Sequence, residues 1–91
     1  MSGMTVGEFA RALYERHCGE LSAAARAGVD ELHRDGEILV LAIDMIDYGV
    51  SHRFLSDDEA RQALVFAREG RLSKSSGDLA ERLAAYLSVA A

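Results

Sequence analysis

The sequence contains no proline, no tryptophan and no asparagine, and its single cysteine is Cys18. Without proline or asparagine, and with many alanine and leucine residues, the composition favours helices and argues against a turn-rich β fold. A lone cysteine cannot form a disulfide within the chain, and without asparagine there is no N-glycosylation site. These absences favour a reducing cytoplasm as the location of the protein.

The sequence also lacks a long apolar run. The longest uninterrupted one covers residues 38–43, far short of the roughly 20 residues of a membrane span. No basic region followed by an apolar region opens the chain, so we expect no signal peptide. With 91 residues, 49% of them hydrophobic, and a net charge of −5, the chain is predicted to be one folded domain. That domain covers residues 1–91, of which residues 1–4 are expected to be disordered or a cloning remnant.

The most apolar stretch covers residues 37–48, EILVLAIDMIDY. On a helix, its three acidic residues and Ser51 form one narrow polar stripe, and apolar side chains fill the rest of the circumference. A helix of this kind must be surrounded by other elements or by a partner. The sequence therefore predicts an all-α fold, a compact four- or five-helix bundle around this central helix, which we expect to end near Gly49.

Short local patterns mark the helix ends. T-x-x-E at residues 5–8 and S-x-x-E at residues 56–59 are capping boxes that predict helix starts. Gly36 and Gly70 predict helix ends, because glycine readily takes the left-handed conformation there. The last helix is expected to begin at residue 75 or 76. Its buried face is predicted to hold Leu79, Leu83, Tyr86, Leu87 and Ala90.

Two segments allow more than one interpretation. Residues 6–34 carry an apolar stripe that drifts slowly, and we interpret them as one long helix, kinked at Gly19, in preference to two short helices. In the helix after residue 56, Val65 and Phe66 are predicted to point away from the inner face. That face is expected to consist of Ala60, Ala63, Leu64 and Ala67.

Asp44 and Asp47 are the residues that most resemble a catalytic or metal-binding pair. Their i, i+3 spacing places them on one helical face, where two carboxylates can share a metal ion or divide acid and base roles. A carboxylate metal site in a bundle also needs ligands such as E-x-x-H on a facing helix, and the sequence has none. The other metal-ligand types match no metal-binding spacing; they are His17, Cys18, His33 and His52. We therefore expect neither enzyme activity nor a cofactor, and keep a carboxylate metal-binding enzyme as an alternative.

A basic group in the C-terminal half raises the question of nucleic-acid binding; it comprises Arg61, Arg68, Arg71 and Lys74. The last helix, however, begins with Asp78 and Glu81, which the phosphates of a nucleic acid would repel. Direct nucleic-acid binding is therefore not expected. A small DNA-binding transcriptional regulator is the second-ranked interpretation.

Six carboxylates lie close together in the middle of the sequence, with Arg34 the only lysine or arginine among them. Such a group is either an ordinary solvated surface or a patch that docks on a basic surface of another molecule. Under the second interpretation, the partner-binding residues are Asp30, Glu31, Asp35, Glu37, Asp44 and Asp47.

The leading hypothesis follows from this acidic group and from the lack of a catalytic constellation. It is a non-enzymatic protein–protein interaction module, a small acidic adaptor or inhibitor that covers a basic surface of another macromolecule. Phage-type and immunity-type inhibitors are examples of this class. The sequence also holds more apolar surface than one small bundle readily covers, which predicts a homodimer.

Overall fold

The computed structural model describes residues 3–90, without the side chain of Ala90. This part of the chain contains five α-helices, two single-turn 3₁₀ helices (Cys18–Glu20 and Ser73–Ser75) and no strand, which confirms the all-α prediction. Residues 1 and 2 of the expected N-terminal remnant lie outside the described residues. The α-helices are α1 (Val6–His17), α2 (Ala23–Arg34), α3 (Ile38–His52), α4 (Asp57–Arg68) and α5 (Ser76–Ala90).

The chain divides inside α3 into two units, the first ending at Met45 and the second beginning at Ile46. Unit 1 contains α1, α2 and the first half of α3. Unit 2 contains the second half of α3 together with α4 and α5. That residues 1–91 form one domain stays a prediction.

Both predicted capping boxes are present and start α1 and α4. The Thr5 hydroxyl accepts from the backbone N–H of Glu8 at 3.0 Å, and the Glu8 carboxylate accepts from the Thr5 N–H at 2.9 Å. Ser56 and Glu59 form the same reciprocal pair, at 3.1 and 2.8 Å. Because the first N–H groups of a helix have no partner within it, these side chains stabilise both helix starts.

The prediction of one long helix over residues 6–34 is wrong. α1 ends at His17, a 3₁₀ turn follows, and Leu21 is extended at φ −90° and ψ 153°. Ser22 then caps α2, its hydroxyl accepting from the Ala25 N–H at 3.2 Å. A serine side chain can bond a nearby backbone N–H in place of the helical backbone bond. Here the bond from the Ala25 N–H to Ser22 accompanies the interruption between α1 and α2, although the apolar stripe of the sequence continues across it.

Gly36 and Gly70 end α2 and α4 as predicted. Their φ values are +74° and +73°, in the left-handed region where only glycine avoids a steric penalty. After α2, the Glu37 N–H donates to the Leu32 carbonyl at 3.0 Å; after α4, the Arg71 N–H donates to a carbonyl of the last turn at 3.0 Å. These bonds are those of Schellman motifs, and they satisfy carbonyls that the helix ends leave open.

α3 is buried along one side and open at its first turn. Ile43 is only half-buried. Leu39 and Val40 leave 41% and 43% of their surface exposed, which a side chain in the core would not do. Four apolar residues of α3 have no exposed surface, namely Leu41, Ala42, Met45 and Ile46.

In unit 2, α4 and α5 pack against each other. The predicted inner face of α4 is buried, and Val65 is exposed as predicted. The prediction for Phe66 is wrong, because this ring is buried with 1% exposed. Phe66 lies on the flank of a face made largely of alanines, and beside such small residues a large ring can reach inward. On α5, Leu79, Leu83 and Tyr86 are buried as predicted and Leu87 is half-buried, while the side chain of Ala90 lies outside the described residues.

α3 continues to His52, three residues beyond its predicted end at Gly49. The chain then turns back so tightly that Leu55 packs directly on Gly49. A Cβ atom added at Gly49 would lie 2.5 Å from Cγ of Leu55. The Phe54 N–H donates to the Gly49 carbonyl at 3.0 Å, and Arg53 between them has a left-handed φ of +60°.

Replacing Gly49 with alanine should lower the free energy of unfolding by about 1–3 kcal/mol, because the new methyl group overpacks the buried Leu55 side chain. Gly28→Ala is the matched control. Gly28 lies inside α2 with nothing within 4 Å of its added Cβ, so that variant should be neutral or more stable by up to about 1 kcal/mol. Urea unfolding followed by circular dichroism measures both, and equal stability of Gly49→Ala and the parent would contradict the close packing.

Candidate functional site

The predicted acidic group is centred on the turn between α2 and α3. Here Glu31, Asp35 and Glu37 are exposed, and the exposed Leu39 and Val40 follow directly. We call these five residues the acidic corner. Glu37 directly precedes α3, and Leu39 and Val40 lie in its first turn, so a carboxylate and two exposed aliphatic side chains follow one another closely in the chain. The corner therefore combines negative charge with uncovered apolar surface.

Asp30, also predicted to bind a partner, is engaged inside unit 1. Its carboxylate accepts from the Tyr14 hydroxyl at 2.6 Å and lies 3.8 Å from the Arg26 guanidinium. The Tyr14 ring stacks on the His33 ring, with centroids 4.4 Å apart and planes at 8°. The bond to Asp30, followed by burial, raises the pKa of Tyr14 above its ordinary value. Asp30 thus joins α2 to α1 and orients the helix that leads to the corner.

Asp47, in unit 2, is engaged as well. Its carboxylate accepts from Nη1 of Arg82 on α5 at 2.5 Å, and Nη2 of Arg82 donates to the Ser51 hydroxyl at 3.1 Å. Asp78 lies 3.6 Å from the same guanidinium. These acids, Asp47 first, raise the pKa of Arg82. Asp44 is half-buried and has a contact of its own, so neither aspartate resembles the open carboxylates of the corner.

The structure brings no metal-ligand set together between residues 3 and 90, where no group of three or more histidine, cysteine, aspartate or glutamate side chains can hold an ion. The four residues considered as metal ligands have separate surroundings. His17 is buried and contacts the Glu20 carboxylate; His33 stacks on Tyr14; His52 lies 6.4 Å from the Tyr48 ring; and Cys18 is half-buried.

The basic group considered for nucleic-acid binding is partly neutralised. Arg61 donates to the Asp58 carboxylate at 2.9 Å. Arg71 lies 3.5 Å from Glu69, with its guanidinium 5.0 Å from the centroid of a phenylalanine ring. Arg68 and Lys74 are exposed. Two of the four cations therefore have carboxylates beside them, which weakens the group as a phosphate-binding surface.

Sequence reasoning missed an open groove of about 240 Å³ in unit 2. We call it the arginine groove; it is lined by Val50, Arg53, Arg82, Ala85, Tyr86 and Val89. The guanidinium of Arg53 lies 4.7 Å above the Tyr86 ring, and the Tyr86 hydroxyl donates to the Leu55 carbonyl at 2.6 Å. The α5 residues follow i, i+3, i+4, i+7 spacing, so the sequence does show one shared face. It does not show that the turn after α3 places Arg53 beside that face.

None of the helices between residues 3 and 90 has the length and hydropathy needed to cross a bilayer. Comparisons of the chain with protein families, with curated proteins and with solved structures found no match. The function is therefore inferred from the residues of this chain alone.

Replacing Tyr14 with phenylalanine removes the bond to Asp30 and keeps a ring on His33. We expect a loss of about 1 kcal/mol or less at neutral pH, because the bond is only partly buried. Since the pKa of Tyr14 is raised, its stabilising contribution is present below the ordinary tyrosine pKa of 10.0 and is lost as the pH rises through the raised value.

Urea unfolding of the parent and of Tyr14→Phe, at neutral and at strongly alkaline pH, measures this contribution. The difference between the two proteins should shrink at alkaline pH. A Tyr14→Phe difference that is the same at both pH values would contradict the assigned bond.

Proposed function

We propose that this chain is a non-enzymatic protein–protein interaction module that acts in the cytoplasm. It is a small acidic adaptor or inhibitor, comparable in kind to phage-type or immunity-type inhibitors, and the acidic corner covers a basic surface of another macromolecule. The observation that carries the proposal is the position of exposed Leu39 and Val40 beside three exposed carboxylates.

Charge alone would support an ordinary solvated surface equally well, because exposed acidic side chains are common on soluble proteins. The apolar part of the corner is what favours an interface. Protein interfaces typically have an apolar centre and a polar rim, and the corner offers both within ten consecutive residues. Leu39 and Val40 lie in the first turn of the most apolar helix of the chain, yet they are uncovered while Leu41 and Ala42, which follow directly, have no exposed surface.

Electrostatics at the corner favours a basic partner. Glu31 lies in the last turn of α2, where the helix dipole is negative and disfavours a carboxylate. A cationic partner would relieve this repulsion as well as contact Asp35 and Glu37. The net charge of −5 extends the attraction beyond the corner, although salt screens exposed charges over about 8 Å under physiological conditions.

Self-association as a homodimer belongs to the same proposal. Its support is apolar surface that each unit leaves exposed. In unit 1 this surface includes Met4 in addition to the corner, and in unit 2 it consists of Val65 and Val89, the latter with 73% exposed. Contiguous exposed apolar surface marks protein–protein contact sites, and the neighbouring Leu39 and Val40 are the part of this surface that favours self-association most.

The corner can be tested by reversing its three charges together, with Glu31, Asp35 and Glu37 all replaced by lysine. Parent and variant are used to capture partners from cytoplasmic extract, and association with a captured partner is timed at several salt concentrations. The variant should associate at least about tenfold more slowly, and its rate should depend little on salt. A control with Glu15, Glu69 and Glu81 replaced by lysine carries the same change in net charge on other exposed positions.

Equal loss in both triple variants would show general charge attraction and contradict a defined corner. A third variant, in which Arg61, Arg68 and Arg71 become glutamate, tests the DNA-binding alternative in gel-shift assays over a salt series. Binding of the parent to DNA that weakens steeply with salt and is lost in this third variant would replace the proposed function.

A further inference from the structure

The arginine groove presents apolar surface that unit 2 does not cover. Val50 and Ala85 line it, and Val89 at its edge leaves 73% of its surface exposed. The Tyr86 ring beside them is fixed by the bond from its hydroxyl to the Leu55 carbonyl. An open apolar surface on a rigid support is typical of a binding surface.

The two arginines of the groove differ in their partners. Arg82 is occupied by Asp47, Ser51 and Asp78. Arg53 stacks on Tyr86, and no carboxylate among residues 3–90 forms an ion pair with it. A guanidinium stacked on a ring keeps its edge N–H groups available for a carboxylate. The groove therefore fits a partner segment that carries an aliphatic side chain next to a carboxylate.

The acidic corner has this chemistry. Glu37 directly precedes the first turn of α3, which holds Leu39 and Val40, and none of the three is buried. We propose that the arginine groove of one copy receives the acidic corner of a second copy. Glu37 then pairs with Arg53, while Leu39 and Val40 cover the apolar part of the groove.

Charge complementarity favours a second copy as the occupant. Two chains of net charge −5 repel each other in general, so contact between copies requires a local cationic surface. Within the groove Arg53 supplies that charge, since Arg82 is already paired with Asp47 and Asp78, and the corner supplies the opposite charge with matching apolar side chains. The two surfaces are unlike, so each copy offers one of each, and association either closes reciprocally in a dimer or extends further.

This inference deepens the proposed function, because it rests on the same corner and assigns it a regulation. A corner that is held in the groove of another copy is not available to a basic partner. Self-association and partner binding therefore compete, and dilution of the protein favours the form that binds a partner.

Charge reversal at one contact provides the test, with the mass of the purified chain measured by sedimentation over a dilution series. The parent should exceed 9.9 kDa as its concentration rises. Glu37→Arg and Arg53→Glu each place like charges together, so each alone should weaken association at least about tenfold. Mixing the two variants restores opposite charges at every contact between unlike copies, and the mixture should associate like the parent.

The double variant Glu37→Arg, Arg53→Glu should also regain association, and it has the same net charge as the parent. Arg68→Glu, an exposed change on α4, is the control and should associate like the parent. If Arg53→Glu fails to fold by circular dichroism, Val89→Asp replaces it, since that side chain is largely exposed and the new carboxylate faces Glu37 across the contact.

The inference is overturned if the parent stays at 9.9 kDa throughout, if either single variant associates like the parent, or if neither the mixture nor the double variant recovers. A monomeric parent would also contradict the homodimer in the proposed function, but it leaves the partner-binding role standing, because the corner can still bind a different protein. If Arg53→Glu instead loses a captured partner while the parent is monomeric, the groove binds a foreign protein and the second copy is the wrong occupant.

Discussion

The turns that close α2 and α3 determine which side chains this chain presents for interaction. Each turn places one residue in the left-handed region, Gly36 after α2 and Arg53 after α3. Each is held by a 3.0 Å bond from a backbone N–H to a carbonyl in the last helical turn, at Leu32 and at Gly49. The first turn produces the acidic corner and the second places Arg53 on the Tyr86 ring. In a chain without proline, such bonds and the helix caps determine where helices end.

The carboxylates in the middle of the sequence have two distinct physical roles. Asp30 and Asp47 form internal bonds, to Tyr14 in unit 1 and to Arg82 in unit 2. The corner carboxylates stay exposed. Carboxylates that already form internal bonds are less available to a partner, whereas exposed charges contribute little to stability and act mainly on association. The surface proposed for a partner is therefore smaller than the acidic group seen in the sequence.

Local sequence was sufficient for the starts of α1 and α4 and for the ends of α2 and α4, because capping boxes and glycine ends depend on residues within a few positions of each other. The break at Ser22 was missed because the apolar stripe continues across it, and periodicity does not register a side chain that bonds its own backbone. The inward position of Phe66 depends on small neighbouring residues, and the tight return at Gly49 depends on Leu55. The arginine groove could not be predicted, since it forms only where Arg53 meets α5, thirty or so residues later in the chain.

The proposal that the acidic corner is a docking surface can be tested by measuring the rate of amide hydrogen exchange. The first N–H groups of a helix lack intrahelical partners, and those of Glu37 and Ile38 are bonded to the preceding turn, so the N–H groups of Leu39 and Val40 in the first turn of α3 should exchange readily in the isolated chain. In the complex with a captured partner, we predict slower exchange over residues 31–40 and unchanged exchange over residues 57–60 at the start of α4. Unchanged exchange over residues 31–40, with slowing elsewhere, would contradict the account.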